Sequence, residues 1–217
     1  MTDYSTLRTA MVDCQVRPSD VTKFPIIEAM LSVPREVFVP SQSRSVAYAG
    51  DHVFLGNNRI VMDARLLAKM LDALDICGKD LVLDIGCGLG YSSAIIAHLA
   101  EAVIAVEEDD ALALEAEANL TSQSVDNAIV VTGALTDGAA KHGPYDAIFF
   151  SGGVAEIPAK LLEQLKEGGR VAALFIENQF GQCKIGVKAD GRIAWRTVFD
   201  GTAPILPGFE PIEEFAL

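Results

Sequence analysis

Leu81-Val82-Leu83-Asp84-Ile85-Gly86-Cys87-Gly88-Leu89-Gly90-Tyr91 is the stretch on which the fold turns. Leu81–Ile85 is apolar but for one carboxylate, breaks into glycines at alternate positions, and is followed by helical spacing over Tyr91–Ala100. Glycine lets a backbone turn sharply out of a strand and come close to a ligand, so this reads as the first strand–loop–helix of a βα fold. Downstream the alternation repeats. Ala102–Val106, Ala128–Thr132, Ala147–Phe150 and Val171–Ile176 read as strands. Asp110–Leu120 and Ile157–Leu165 read as helices, the second stopping at Gly168-Gly169. Short apolar runs alternating with helices predict a parallel sheet covered on both faces. Asp190-Gly191, between Cys183–Lys188 and Ile193–Phe199, is a hairpin-turn dipeptide, so the sheet is expected to close with an antiparallel pair.

Upstream, residues 1–75 read as helices and irregular segments, including Phe24–Leu31 and Ala64–Leu74, the latter after an N-cap at Asp63. The expectation is an α/β, doubly wound, mostly parallel sheet in a single domain over 1–217. It divides into a helical cap and acceptor-side segment (1–75), a βα core (76–180) and a C-terminal hairpin and tail (181–217).

Composition narrows the function classes. The 217 residues carry Lys+Arg 17 against Asp+Glu 30, a net charge of −13, with no basic block to grip phosphates. Half the residues are apolar, which excludes a disordered or fibrous chain. Cys14, Cys77, Cys87 and Cys183 lack metal or disulfide spacing, so they read as reduced thiols. The N-terminus has no basic region followed by an apolar one, and no apolar stretch approaches the roughly 20 residues a membrane span needs. A cytoplasmic protein without nucleic-acid, membrane or metal partners is expected.

The glycine loop has a chemical preference. A dinucleotide fingerprint would place its third glycine at position 91, where this chain has Tyr91. Asp84, two residues before Gly86, would repel a pyrophosphate. Glu107 ends the next strand, about 20 residues on, where a carboxylate can accept both hydroxyls of a ribose. The alternative is that Glu107 and Glu108 cap the following helix, whose N-terminus favours negative charge. The G-x-G-x-G loop with its preceding acid resembles the first motif of class I (Rossmann-like) S-adenosylmethionine-dependent methyltransferases, and a nicotinamide dehydrogenase is the rival.

A longer resemblance runs through most of the chain. Met11–Arg17, Ala29-Met30, Val33-Pro34-Arg35-Glu36-Val37-Phe38-Val39-Pro40, Ala47-Tyr48 to Gly56, the glycine loop, Gly143–Ile148 and Gln164–Arg170 together resemble the protein-L-isoaspartate O-methyltransferases. The resemblance implies methyl transfer from S-adenosyl-L-methionine to an isoaspartyl α-carboxylate in damaged protein. It carries cofactor-binding roles onto Asp84, Gly86, Cys87, Gly88, Tyr91, Glu107, Glu108, Ala134, Leu135 and Asp137. A carboxylate acceptor is already ionised near neutral pH and needs no general base. No catalytic histidine is therefore assigned, and His52, His98 and His142 read as structural or solvent-facing.

Three departures from the family pattern bear on the acceptor side. Where the family has a G-x-G-Q-T-I-S-Q-P-like stretch, this chain reads Gly56-Asn57-Asn58-Arg59-Ile60-Val61-Met62-Asp63-Ala64. Met62 takes the serine position, and a thioether cannot donate a hydrogen bond. Arg59 replaces a neutral glutamine and is a candidate to grip an acceptor carboxylate, or else a surface arginine pairing with Asp51 or Asp63. The family's G-D-G becomes Gly133-Ala134-Leu135-Thr136-Asp137-Gly138, and Asp200–Leu206 lacks an arginine found in the family's C-terminal stretch. Alternatives therefore stand beside the isoaspartyl reading. One is a methyltransferase of the same build with another acceptor, and another is a cofactor-binding homologue without catalysis.

Overall fold

The computed structural model describes residues 3–178 and 180–211. Asp3 opens the first helix, α1 (Tyr4–Met11), by accepting the Thr6 amide at 3.2 Å. The chain continues through a π-helical turn (Val12–Val16) and a 3-10 turn (Arg17–Ser19) to α2 (Phe24–Ser32), where Pro25 sits in the first turn and costs no hydrogen bond. Val33–Pro40 makes a 3-10 turn at Arg35–Val37. A small antiparallel hairpin follows: β1 (Val53–Gly56) and β2 (Arg59–Val61), turned by Asn57 (φ 45°) and Asn58 (φ 57°). It was not expected from the sequence, which reads there as irregular chain. Asn is the non-glycine residue that best tolerates left-handed backbone, and a pair of them supplies a tight hairpin turn. Asp63 caps α3 (Ala64–Leu74) by accepting the Leu66 amide at 2.9 Å.

The alternation predicted from residue 81 is present. β3 (Leu81–Ile85), α4 (Tyr91–Ala97), β4 (Ala102–Glu107), α5 (Asp110–Ser122), β5 (Ala128–Thr132), β6 (Tyr145–Val154), α6 (Ala159–Leu162) and β7 (Leu165–Glu177) follow in order. β8 (Phe180–Ala189) and β9 (Arg192–Asp200) form the closing hairpin, with Asp190 (φ 51°) and Gly191 (φ 71°) in its turn. The seven strands lie in the order β5-β4-β3-β6-β7-β8-β9, parallel through β7 and antiparallel beyond it. Two helices are shorter than predicted: the spacing over Tyr91–Ala100 yields a helix ending at Ala97, and Ile157–Leu165 yields only Ala159–Leu162. Leu165 instead pairs with Tyr145 and begins β7, and the Tyr145 amide donates to Gln164 O at 2.8 Å. Sheet pairing thus overrides helical periodicity there.

Alternate residues of the central strands feed two apolar layers. Val82, Ala147, Phe149, Ala172 and Leu174 face the helices of the N-terminal segment, while Leu83, Ile148, Phe150, Val171 and Ala173 face Leu161, Leu206 and Phe209. A strand covered on both faces has no polar side, which is why these runs are continuously apolar. The strand order reverses between β3 and β6, so the carboxyl ends of β3, β4 and β6 border the crevice where open α/β sheets bind ligands.

Candidate active site

Three strand ends build the site. β3 delivers Asp84 and then the glycines, which take positive φ at Gly86 (82°), Gly88 (57°) and Gly90 (91°). The Gly86 amide donates to Val106 O at 2.8 Å, fastening the loop to β4. Asp84 is fully buried and accepts from Ser92 (2.6 Å) and Ser93 (2.7 Å) of α4 and from Ser151 (2.7 Å) of β6. Burial pushes its carboxyl above the usual carboxylate range, while those hydroxyls and Arg59 favour the ionised form. In this arrangement both Asp84 oxygens tie strand, helix and neighbouring strand together.

Glu107, also fully buried, ends β4 and accepts the amides of Gly88 (2.8 Å), Glu108 (3.0 Å) and Asp109 (3.2 Å). Asp109, not Glu107 or Glu108, caps α5, accepting from Ala111 and Leu112. The remaining partner of Glu107 is Arg59: Nε donates to Oε1 at 3.2 Å and Nη2 pairs with Oε2. The reading of Arg59 as a surface arginine paired with Asp51 or Asp63 is thereby corrected. It is 1% exposed and spends its Nε and Nη2 donors on Glu107, because the β1–β2 hairpin folds it inward over the glycine loop. The sequence holds the two residues 48 positions apart, and no local signal matches this arginine to that carboxylate.

The space above the loop is filled by this chain's own side chains. A Cβ on Gly86 would lie 2.8 Å from Arg59 Nη1 and 3.2 Å from Leu206 Cδ2, and one on Gly88 would lie 2.8 Å from Leu55 Cδ1. Leu206 arrives on the segment after β9, which crosses the strand ends: Ile205 bridges Gly153, and the Leu206 amide donates to Gly153 O at 2.8 Å. His52 braces the same rim. Its Nδ1 accepts the Asp63 amide and its Nε2 lies 3.0 Å from Thr202 O, a structural histidine as expected. Beneath the hairpin a cavity of about 10 Å³ remains, bordered by Met62, Cys87, Tyr91, Ser92 and Ser151.

Other predicted site residues scatter. Cys87 is buried, and burial raises its thiol well above the ordinary value. Tyr91 is buried with Arg35 4.8 Å over its ring, and its hydroxyl has no hydrogen-bond partner among the described residues. Burial raises the pKa of Glu108. Leu135 is buried in the sheet's second apolar layer, while Ala134 is exposed. Asp137 does not join the site; it pairs with Lys160 on the surface, 64% exposed. Larger hollows, about 420 Å³ beside Lys23 and Arg196 and about 640 Å³ beside Asp137 and Lys160, are lined by none of the loop residues. Among the described residues no group of three or more His, Cys, Asp or Glu is placed to hold a metal ion. No described helix is long and apolar enough to cross a membrane.

A profile of the protein-L-isoaspartate(D-aspartate) O-methyltransferase family matches residues 8–198. The chain belongs to that family. A protein-L-isoaspartate O-methyltransferase of Methanoregula boonei is 37% identical over 164 residues, 76% of each chain. One from Geobacter metallireducens is 35% identical over 185 residues, 85% of each. Among solved structures, a protein-L-isoaspartate O-methyltransferase superposes with a TM-score of 0.79 at 24% identity, over 95% of this chain and 66% of that one. A putative member from Plasmodium falciparum, in complex with S-adenosyl-L-homocysteine, gives 0.79 at 18% identity over 95% and 99%. These last two likenesses bear on the fold: the family's class I methyltransferase architecture is the one described above.

Proposed function

We propose that the chain is an S-adenosyl-L-methionine-dependent O-methyltransferase acting on the α-carboxylate of isoaspartyl residues in protein or peptide, in the cytoplasm. The observation that carries this reading is the meeting of Gly86, Gly88 and the buried Glu107 at the carboxyl ends of adjacent parallel strands, in a chain of this family. The donor and acceptor chemistry fits the cofactor. Glu107 is a carboxylate suited to a pair of ribose hydroxyls, and the glycines offer backbone free of Cβ. When bound, the cofactor supplies an electrophilic methyl group.

The chain's own residues do the rest. Gly86, Gly88 and Glu107 hold and orient; Asp84, through Ser92, Ser93 and Ser151, fixes the loop against α4 and β6. Ile60, Val61, Met62 and Leu67 form an apolar wall that excludes water from the acceptor side. Alignment and desolvation are the contributions such a reaction needs, since its nucleophile is already charged. The cytoplasmic setting rests on the four cysteines, all free, two exposed and two buried.

The test is methyl transfer from radiolabelled cofactor to an isoaspartyl peptide beside its normal aspartyl twin. Activity confined to the isoaspartyl peptide is expected. Met62→Ser restores a hydroxyl donor beside the acceptor and should raise the rate by roughly 10²-fold, the scale of one oxyanion-type donor. Equal labelling of both peptides, or of neither, would sink the substrate reading. Strong wild-type activity that Met62→Ser leaves unimproved would sink the role given to position 62.

A further inference from the structure

Arg59 has properties that a plain fastening ion pair lacks. It is 1% exposed, yet its Nη1 has no hydrogen-bond partner among the described residues. Unsatisfied buried donors are rare and call for an explanation. That same Nη1 lies 2.8 Å from the place a Cβ on Gly86 would take, over a glycine held at φ 82°. Its Nε and Nη2 reach the two oxygens of Glu107 side by side. With the amides of Gly88, Glu108 and Asp109 also donating, the acceptor capacity of that carboxylate is taken up.

A guanidinium edge and a vicinal diol offer a carboxylate the same thing: two adjacent donors in one plane. We infer that Arg59 is a resident competitor for the cofactor's ribose, so that the site is closed by default and opens only when the Arg59–Glu107 pair breaks. The inference rests on the cofactor reading above and adds to it a control built into the chain. The hairpin bearing Arg59 suits the role. Among the described residues β1 and β2 pair only with each other, outside the seven-stranded sheet, and turn on Asn57-Asn58. Leu55, from the same hairpin, covers Gly88, so one movement would lift Leu55 from Gly88 and Arg59 from Gly86, leaving Leu206 beside Gly86. Affinity measured on such a protein is lowered by the fraction of molecules in the open state, and a substitution that removes the competitor recovers it.

Calorimetric titration with S-adenosylhomocysteine tests this, on wild type and on Arg59→Gln, the residue type the family pattern has there. At least tenfold tighter binding by Arg59→Gln is expected. Affinities within twofold of each other would overturn the competitor role and leave the cofactor reading standing. Absence of saturable heat in both proteins, each shown folded by its melting transition, would overturn the cofactor reading and the competitor role with it. A second measurement uses wild type alone and does not depend on the variant folding. The Nε–H resonance of a buried, paired Arg59 should stand apart in a ¹⁵N spectrum and shift or broaden as S-adenosylhomocysteine is added. An unmoved resonance at saturation would show that the ligand binds without displacing Arg59.

Discussion

At the amino ends of the parallel strands Arg170 pairs with Asp80 while its Nε donates to Leu74 O at 2.9 Å, joining β7 to the end of α3 and the start of β3. At the carboxyl ends Arg59 pairs with Glu107. Both are arginine–carboxylate pairs on the same sheet, yet their surroundings differ. The Arg170 pair is partly wet, its side chains 26% and 11% exposed. The Arg59 pair is dry, at 2% and 0%, and lies on a glycine that holds space open for something else. An ion pair that only fastens can sit anywhere; one laid over backbone stripped of Cβ occupies room with another use.

The largest effect expected from this contrast is on stability. Glu107→Ala leaves Arg59 a buried charge without its partner, which should cost about 3–5 kcal/mol in urea unfolding. Asp80→Ala removes bonds to Arg170 and to the Cys77 amide (2.8 Å) at a site that water can reach, and about 1–2 kcal/mol is expected. Equal losses in the two variants would erase the distinction between a dry pair and a wet one. The Asp80 variant should also leave S-adenosylhomocysteine affinity unchanged, and a change there would show the two ends of the sheet to be coupled. The smallest effect is a difference in thiol labelling. Cys14 and Cys77 are exposed and should react quickly with a disulfide reagent at pH 8. Cys87 under the hairpin and Cys183, whose thiol burial pushes up to about 12, should react slowly. Fast labelling of Cys87 would mean that the hairpin does not cover the loop.

The sequence reveals the sheet more fully than the lid over it. β3 and β5 match their apolar runs because buried strands read as continuous hydrophobic stretches. α3 starts where Asp63 caps it and ends at Leu74, as its periodicity predicts. Glu107 and the glycines are legible because strand ends fix their place. The β1–β2 hairpin is less so: strands of four and three residues carry too little alternation to register, although Asn57-Asn58 is a turn signal in plain view. The resemblance gives Asp137 a cofactor-binding role, but side-chain direction within a 3-10 turn is set by tertiary contacts, here Lys160. The partner of Arg59 depends on how the hairpin packs over the loop, which local spacing does not encode.

The tail that carries Leu206 bears on the order in which the molecule can be completed. Synthesis delivers the N-terminal parts of a chain first. The glycine loop, Glu107 and the hairpin with Arg59 therefore emerge well before Ala203–Phe209, yet the nearest cover of Gly152 comes from that late segment, with Leu206 Cδ2 2.5 Å from where a Cβ on Gly152 would stand. A growing chain that has reached Asp200 has delivered all seven strands of the sheet, but its crevice has no floor beyond β6. The rim closes only with the final stretch of the described polypeptide, so a ribosome-bound intermediate would have its sheet before its pocket.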